Sequence, residues 1–206
     1  MLTNKLENLT EEFRSSGGCF KIKKLKELFS ITSTKKVFNA QNITLDDRSS
    51  AGTYPYVVRS AVNNGIRGFT KQDLVFLNPK NTLSFAQDTF MVFYQKDSYF
   101  TGNNVKVLVP RFSGFNDKIG LYLSSNFNYV LKGFTWGQSS SYEKIASVEI
   151  LVPMIGEYLA LNYMERYVEE LEAYLKVTGL KDYKLTEKDE KALNSFNDVF
   201  DRDGGG

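Results

Sequence analysis

The sequence predicts an α+β fold, a mixed and mostly β globular part followed by a long C-terminal helix of the coiled-coil type. Two observations support this prediction. Between residues 38 and 152, short runs rich in Val, Ile, Phe and Tyr alternate with Gly, Asn, Pro and Ser, which is typical of many short strands. Beyond Pro153, apolar residues recur at intervals of three and four, which is the spacing of a helix with one apolar side.

Several segments are assigned by their local pattern. Residues 1–18 form an amphipathic segment that ends in a Ser-Ser-Gly-Gly stop. Residues 20–29 predict a short helix, because their apolar residues follow helical spacing with lysines opposite. A helix inside the β-rich part is expected at 119–123 or near Tyr129. The candidate strands are 54–58, 74–77, 89–94, 105–109 and 148–152.

The C-terminal helix is predicted over 156–177 and would be about 33 Å long, which is close to one turn of DNA. Gly179 supplies its left-handed stop. We therefore divide the chain into a globular domain, 1–152, and a helix with a charged tail, 153–206. The apolar stripe of the helix favours a homodimer, since burying each such side chain contributes roughly 1.5–3 kcal/mol; the alternative is packing on its own domain. The stripe consists of Leu161, Met164, Val168, Leu171 and Leu175.

Composition excludes several classes of function. The chain has no histidine, so serine–histidine, cysteine–histidine and histidine–metal mechanisms are excluded. Its one cysteine, Cys19, can form no internal disulfide, which fits a reducing cytoplasm. No apolar run is long enough for a membrane span, and no secretory signal is recognisable. The net charge of only +2 means that any nucleic-acid site must be a local patch.

Motifs of catalysis are mostly missing from the sequence. It contains no phosphate-binding loop, no dinucleotide-binding glycine pattern and no methyltransferase motif, and the nearest approach, Asn78-Pro79-Lys80, is interpreted as a turn. Asp46 and Asp47 are adjacent carboxylates, and neighbours in sequence usually point apart. We therefore predict no enzyme activity, no cofactor and no metal site.

Three polar segments are candidates for contacting DNA. Arg, Lys, Asn and Gln can form paired hydrogen bonds with base edges, and basic side chains also bind phosphates. The alternative is that these are ordinary solvated loops. The candidate residues are Lys35, Lys36, Arg59, Asn63, Asn64, Arg67 and Gln138.

The order of several short motifs resembles a known family. The motifs are FKIKKLKELF (20–29), YPYV (54–57), NNGI (63–66), YFTGNNVKVL (99–108), GQS (137–139) and ILVP (150–153), the last leading into the helix. Over roughly residues 20–185, this order and spacing resemble the target recognition domain of type I restriction–modification specificity subunits. Each motif alone is weak, and their order is what makes the resemblance specific.

The resemblance implies a non-catalytic DNA-recognition subunit. Family members contact bases in the major groove, bind methyltransferase subunits and in some systems a restriction subunit, and pair two recognition domains through two antiparallel spacer helices. This chain has one such domain and one helix, so it resembles half a subunit, and a homodimer reading a bipartite site is expected. Two alternatives stay open: a carbohydrate- or peptide-binding β-rich module, and a metal-dependent nuclease using Asp46, Asp47 and a lysine.

Overall fold

The structure, a computed structural model, describes residues 2–133 and 142–179. The helices within these ranges are α1 (Leu2–Ser15), α2 (Leu25–Leu28), α3 (Asp117–Leu131), α4 (Tyr142–Ala146) and α5 (Leu161–Val177). The strands are β1 (Gly18–Lys24), β2 (Phe29–Ser33), β3 (Tyr54–Val57), β4 (Ile66–Thr70), β5 (Thr82–Ala86), β6 (Met91–Gln95), β7 (Phe100–Thr101), β8 (Val105–Pro110), β9 (Glu149–Ile155) and β10 (Tyr158–Leu159). Short 3₁₀ turns occur at Ala40–Asn42, Asn63–Gly65 and Leu74–Phe76. The predicted α+β class is confirmed.

The strands form three sheets. The central sheet has the order β2-β8-β5-β6 and is antiparallel throughout. The side sheet has the order β4-β3-β7, in which β3 and β7 run parallel. The terminal sheet, β1-β9-β10, pairs the first strand with the last two in antiparallel fashion.

The main hydrophobic core lies between the central sheet, α3 and the inner face of the terminal sheet. Asn116 precedes helix α3, and its side-chain Oδ1 accepts a hydrogen bond from Ile119 N at 3.1 Å and so caps the helix. It packs closely on β6 at Gly120, where a Cβ atom would lie 2.3 Å from the Tyr94 ring. The fully buried members of this core include Phe29, Leu83, Phe85, Leu108, Ile119, Leu123, Phe127 and Met164.

The N-terminal helix packs against the C-terminal helix and the terminal sheet. Lys5 is paired with Glu170, and Glu12 with Arg166, so α1 and α5 run antiparallel. The Phe13 ring lies over β1 at Gly18, where a Cβ atom would approach it to 2.2 Å. The predicted amphipathic segment at 1–18 is therefore a helix with its own apolar cluster.

The predicted helix over 20–29 is wrong. Residues Gly18–Lys24 form β1, and only the turn Leu25–Leu28 is helical before β2 begins. Phe20 and Ile22 alternate with lysines, which is also the period of a strand. Pairing with β9 from Gly18↔Ile155 to Lys24↔Glu149 decides between the two periods.

The predicted start of the C-terminal helix is also wrong. Strand β9 continues through Pro153 to Ile155, and α5 begins at Leu161. Pro153 lies opposite Ala160, just beyond the end of β10. Its carbonyl oxygen accepts a hydrogen bond from Ala160 N at 2.9 Å. The proline therefore removes only the one hydrogen bond that a backbone N–H at this position would have donated. The described helix is about 26 Å long, so the predicted match to one DNA turn does not hold for it.

Other boundaries differ by a few residues from those predicted. The candidate strand at 74–77 is a 3₁₀ turn, while the helix expected near 119–129 is the whole of α3. Gly179 has a φ of 72°, as predicted for a left-handed stop. Strand β9 crosses the predicted domain boundary at residue 152, and that boundary stays a prediction. The tail 180–206 lies outside the described residues.

Within the described part of the chain, no helix is long and apolar enough to cross a membrane.

Candidate nucleic-acid interface

The loop between β3 and β4 contains a turn of three left-handed residues. Asn63, Asn64 and Gly65 have φ values of 48°, 54° and 75°. Asparagine and glycine adopt this region most readily. A Cβ atom at Gly65 would lie 3.3 Å from Val57 Cγ1, so the sequence Asn-Asn-Gly fits both the conformation and the close packing.

Both asparagine side chains hold this turn in place. Asn63 Nδ2 donates to Ile66 O at 2.7 Å, and Asn64 Nδ2 donates to Tyr94 O at 2.7 Å. From β6, Gln95 Nε2 donates to Asn64 O at 3.0 Å and to Ser84 Oγ at 2.9 Å. The amide groups predicted to read bases therefore have internal partners, and their contact with DNA stays a prediction.

The two arginines beside this turn differ in their surroundings. Arg59 Nη1 lies 2.6 Å from Asp88 Oδ2, which also accepts a hydrogen bond from Asn104 Nδ2 at 3.1 Å. Arg67 is exposed on the edge strand β4. Burial raises the pKa of Tyr56, and the positive charge of Arg67 opposes this rise, which places the guanidinium within electrostatic reach of the tyrosine.

Lys35 and Lys36 follow strand β2 and are both exposed. The ammonium of Lys36 lies 4.4 Å from the centre of the Phe76 ring and 5.0 Å from that of Phe38, so it makes a cation–π contact with each. The backbone N–H of Lys35 donates to Asn78 Oδ1 at 3.2 Å. These contacts fix the two lysines beside a short aromatic cluster.

The predicted residues lie on the two flanks of the side sheet. Arg67 is on β4 at one edge, while Val37, next to Lys36, bridges β7 at the other edge. Three strand spacings separate these flanks, or about 14 Å. The structure therefore joins the two groups through one small sheet, and their common role stays a prediction. Gln138 lies outside the described residues.

This part of the chain is positively charged. Residues 29–110, all of which the structure describes, contain nine basic and five acidic side chains, a net charge of +4. Arg59–Asp88 is the single ion pair within this range. Most of the positive charge is therefore unpaired, which favours an anionic partner.

Two buried polar residues and one exposed apolar pair contribute to this part of the molecule but were not among the residues predicted from the sequence. Asn78 is 1% exposed and links the lysine loop to Tyr99, the residue before β7, and Gln95 is 2% exposed and holds the Asn63–Gly65 turn. Leu74 and Val75 are exposed at a turn that was predicted to be a strand. Asp73, which caps this turn, was the available signal for it.

Within residues 2–133 and 142–179, no group of three side chains is arranged to hold a metal ion. Asp46 forms a bridge with Phe69 at the outer edge of β4.

The predicted dimerisation stripe is divided along α5. Met164 belongs to the main core, with Leu161 packed against it, and Val168 is 6% exposed. Leu171 is half-buried, and Leu175 is 39% exposed. The first half of the stripe thus packs within its own chain, and only the second half is accessible to a partner.

A family model matches most of the chain. The family is described as "Type I restriction modification DNA specificity domain", and the match covers residues 19–186. A curated protein of Heyndrickxia coagulans, "Type II restriction enzyme BgcI specificity subunit S.BcgI", is 25% identical over 126 residues. That alignment covers 60% of this chain and 36% of the curated protein.

Solved structures share the fold. The S subunit of a type I restriction-modification system from M. genitalium has a TM-score of 0.57 at 15% identity, covering 96% of this chain and 47% of its own. The HsdS subunit from Thermoanaerobacter tengcongensis has a TM-score of 0.55 at 10% identity, covering 98% and 52%. This chain thus spans about half the length of these solved subunits and about a third of the curated relative.

Proposed function

This chain belongs to the family of type I restriction modification DNA specificity domains, and on that premise we propose that it recognises a specific DNA sequence and directs methyltransferase subunits to it. A restriction subunit, where the system contains one, is a further partner. The chain itself supplies recognition, and we expect neither methyl transfer nor DNA cleavage from it alone. The family match over residues 19–186 is the observation that carries this proposal.

The positive net charge of residues 29–110 supports DNA as the ligand. The exposed cations Lys35, Lys36 and Arg67 flank the side sheet, and the Asn63–Gly65 turn lies between β3 and β4. Lysine and arginine bind phosphates and give an affinity that falls steeply with salt. A neutral carbohydrate would not be held by such charges, so a salt-sensitive affinity discriminates against the sugar-binding alternative.

Co-expression with the neighbouring methyltransferase tests the proposal. We expect the two proteins to co-purify and to methylate one defined sequence, found by sequencing the methylated sites of the host DNA. The purified chain alone should bind that sequence and transfer no label from S-adenosylmethionine. Unchanged methylation after deletion of this chain would contradict the proposal.

We further propose that two copies of the chain pair through the accessible half of the α5 stripe and read a bipartite, palindromic site. Leu171 and Leu175 are the residues of the stripe that are available for this contact, and two-fold pairing would place two recognition domains on one duplex. Val168 is buried in the chain itself, so the test is Leu171→Glu/Leu175→Glu. This variant should sediment as a folded monomer. A monomeric wild-type chain at tens of micromolar would contradict the dimer.

A further inference from the structure

An apolar tip projects from the loop between β4 and β5. Its residues, Leu74 and Val75, are 58% and 59% exposed and occupy a 3₁₀ turn. Asp73 Oδ1 accepts a hydrogen bond from Val75 N at 3.1 Å, and Asp73 O accepts one from Phe76 N at 3.1 Å. The hydrogen bonds of this capped turn therefore keep two aliphatic side chains exposed to solvent.

The apolar tip rests on a rigid base. Asn78 donates from its backbone N to Tyr99 O at 2.9 Å and from Nδ2 to the same oxygen at 3.1 Å. Its Oδ1 accepts from Lys35 N at 3.2 Å. One buried asparagine thus ties the loop that contains the tip to the lysine loop and to Tyr99, the residue before β7, so the backbones of the two loops are held together.

Four lysines lie near the apolar tip, either in contact with its turn or close to it along the chain. Lys36 stacks on Phe76, the last residue of the turn, and Lys35 precedes it in the chain. Lys71 and Lys80 are exposed at the two ends of the loop. Asp73 is the one acidic residue between them, and its carboxylate is engaged as the cap. A small apolar surface with exposed lysines nearby fits a ligand that combines anionic groups with apolar ones.

We propose that Leu74 and Val75 contact thymine methyl groups in the major groove while the surrounding lysines bind the adjacent phosphates. Thymine presents the only methyl group among the base edges of the major groove, and aliphatic side chains recognise it by apolar contact. A protein partner is the less suitable occupant, because protein interfaces bury about 800 Å² per partner and are depleted in lysine. This inference rests on the proposed DNA-recognition function.

The test compares wild type with Leu74→Ser/Val75→Ser on two duplexes. The first is the duplex that the wild-type chain selects from a library with a random centre. The second has deoxyuridine in place of every thymine, which keeps base pairing and removes the methyl group. Wild type should bind the second duplex about fourfold more weakly for each methyl contacted. The variant should bind both duplexes alike, with its salt dependence unchanged.

A matched control uses another exposed apolar pair, on the terminal sheet. Ile22 and Leu151 face each other across β1 and β9 and are 64% and 53% exposed. Ile22→Ser/Leu151→Ser should discriminate thymine from deoxyuridine as wild type does. Thermal melting followed by circular dichroism checks that both variants fold.

The possible failures are distinguishable. If wild type selects no sequence, the DNA-recognition function fails and this inference fails with it. If wild type selects a sequence but binds both duplexes alike, or if the Leu74→Ser/Val75→Ser variant still discriminates, only this inference is overturned. Loss of a co-purified methyltransferase with thymine discrimination intact would assign the apolar tip to a protein contact and overturn it as well.

Discussion

The β-rich residues 29–110 and the paired helices α1 and α5 have net charges of opposite sign. The β-rich range has a net charge of +4, from nine basic and five acidic side chains, with one internal ion pair. The two helices contain four basic and seven acidic side chains, a net charge of −3. Their charges are paired between elements, through Lys5–Glu170 and Arg166–Glu12, and Lys118 of α3 pairs with Glu169.

This difference separates the part of the chain that packs from the part available for binding. Ion pairs between helices neutralise the charges that packing brings together, although each exposed pair contributes little to stability. Unpaired cations on the β-rich part leave a field that attracts an anion. A net charge of only +2 for the whole chain is therefore compatible with a locally basic surface.

The largest expected effect is on the free energy of unfolding, from a substitution in the main core. Met164→Ala removes a fully buried side chain from the main core, and we expect the free energy of unfolding to fall by about 2–5 kcal/mol. The folded variant should keep its DNA affinity. Urea denaturation measures the loss, and Leu175→Ala, at a residue that is 39% exposed, should change stability by about 0.5 kcal/mol or less. Equal losses would contradict the division of the stripe.

A triple substitution tests the binding side. Lys35→Ala/Lys36→Ala/Arg67→Ala should lower DNA affinity on the order of 100-fold near 0.1 M salt, and it should reduce the salt slope by about three. The physical reason is the loss of three counterion-releasing contacts. Fluorescence anisotropy over a salt series measures both quantities. The control, Lys5→Ala/Lys118→Ala/Arg166→Ala, removes the same charge from the helices and should leave the slope unchanged; a drop there would contradict the comparison.

Gln95 links the packed interior to the candidate binding surface, because it is a buried residue whose side chain supports an exposed turn. Gln95→Leu leaves Asn64 O and Ser84 Oγ without their donor, which should cost about 1–3 kcal/mol of stability. Amide hydrogen exchange should accelerate at Gly65 and Ile66. Gln41→Leu, at an exposed position, is the control. Unchanged exchange in Gln95→Leu would show that the turn holds itself.

The smallest expected effect is a pH dependence at the helix pair. A hydrogen bond from Arg166 lowers the pKa of Glu12 below its ordinary value of 4.5, aided by the arginine charge and opposed by burial. Because the folded-state pKa is the lower one, this stabilisation is present above pH 4.5 and is lost as the pH falls through the folded-state value. Glu12→Gln should remove this part of the acid sensitivity of the urea midpoint, and Arg166→Ala should remove the same part. A Glu12→Gln variant with the wild-type pH profile would rule out the pair as its source.

The sequence alone predicted elements whose pattern is local. The β-rich texture, the amphipathic character of the N-terminal segment and most of α5 follow from spacing within a few turns or strands. Strand β1 was missed because its residues fit both a helical and a strand period, and its partner β9 lies about 130 residues away. The start of α5 is not predictable from local pattern, because a proline usually ends a strand. Pro153 instead lies within β9, opposite the end of β10, where it removes only one hydrogen bond of the sheet.

The candidate site shows the same limit. Exposure of Lys35, Lys36 and Arg67 was predictable, since they lie in polar segments. The internal hydrogen bonds of Asn64 were not, because they depend on β6 from another part of the chain. Leu74 and Val75 belong to an apolar run, and such a run gives no local signal of whether it faces a core or water.

The antiparallel pairing of β1 with β9 joins two segments that are synthesised at widely separated times. At roughly 5–20 residues per second, about 130 residues of synthesis separate them by roughly 10 s. During that interval the Phe13 and Phe20 rings have no Tyr163 to pack on. A nascent chain released only up to residue 140 should therefore expose residues 2–24 to protease, and release past residue 177 should protect them. The β-rich part can close first, and the N-terminal segment waits for the last helix to complete its own packing.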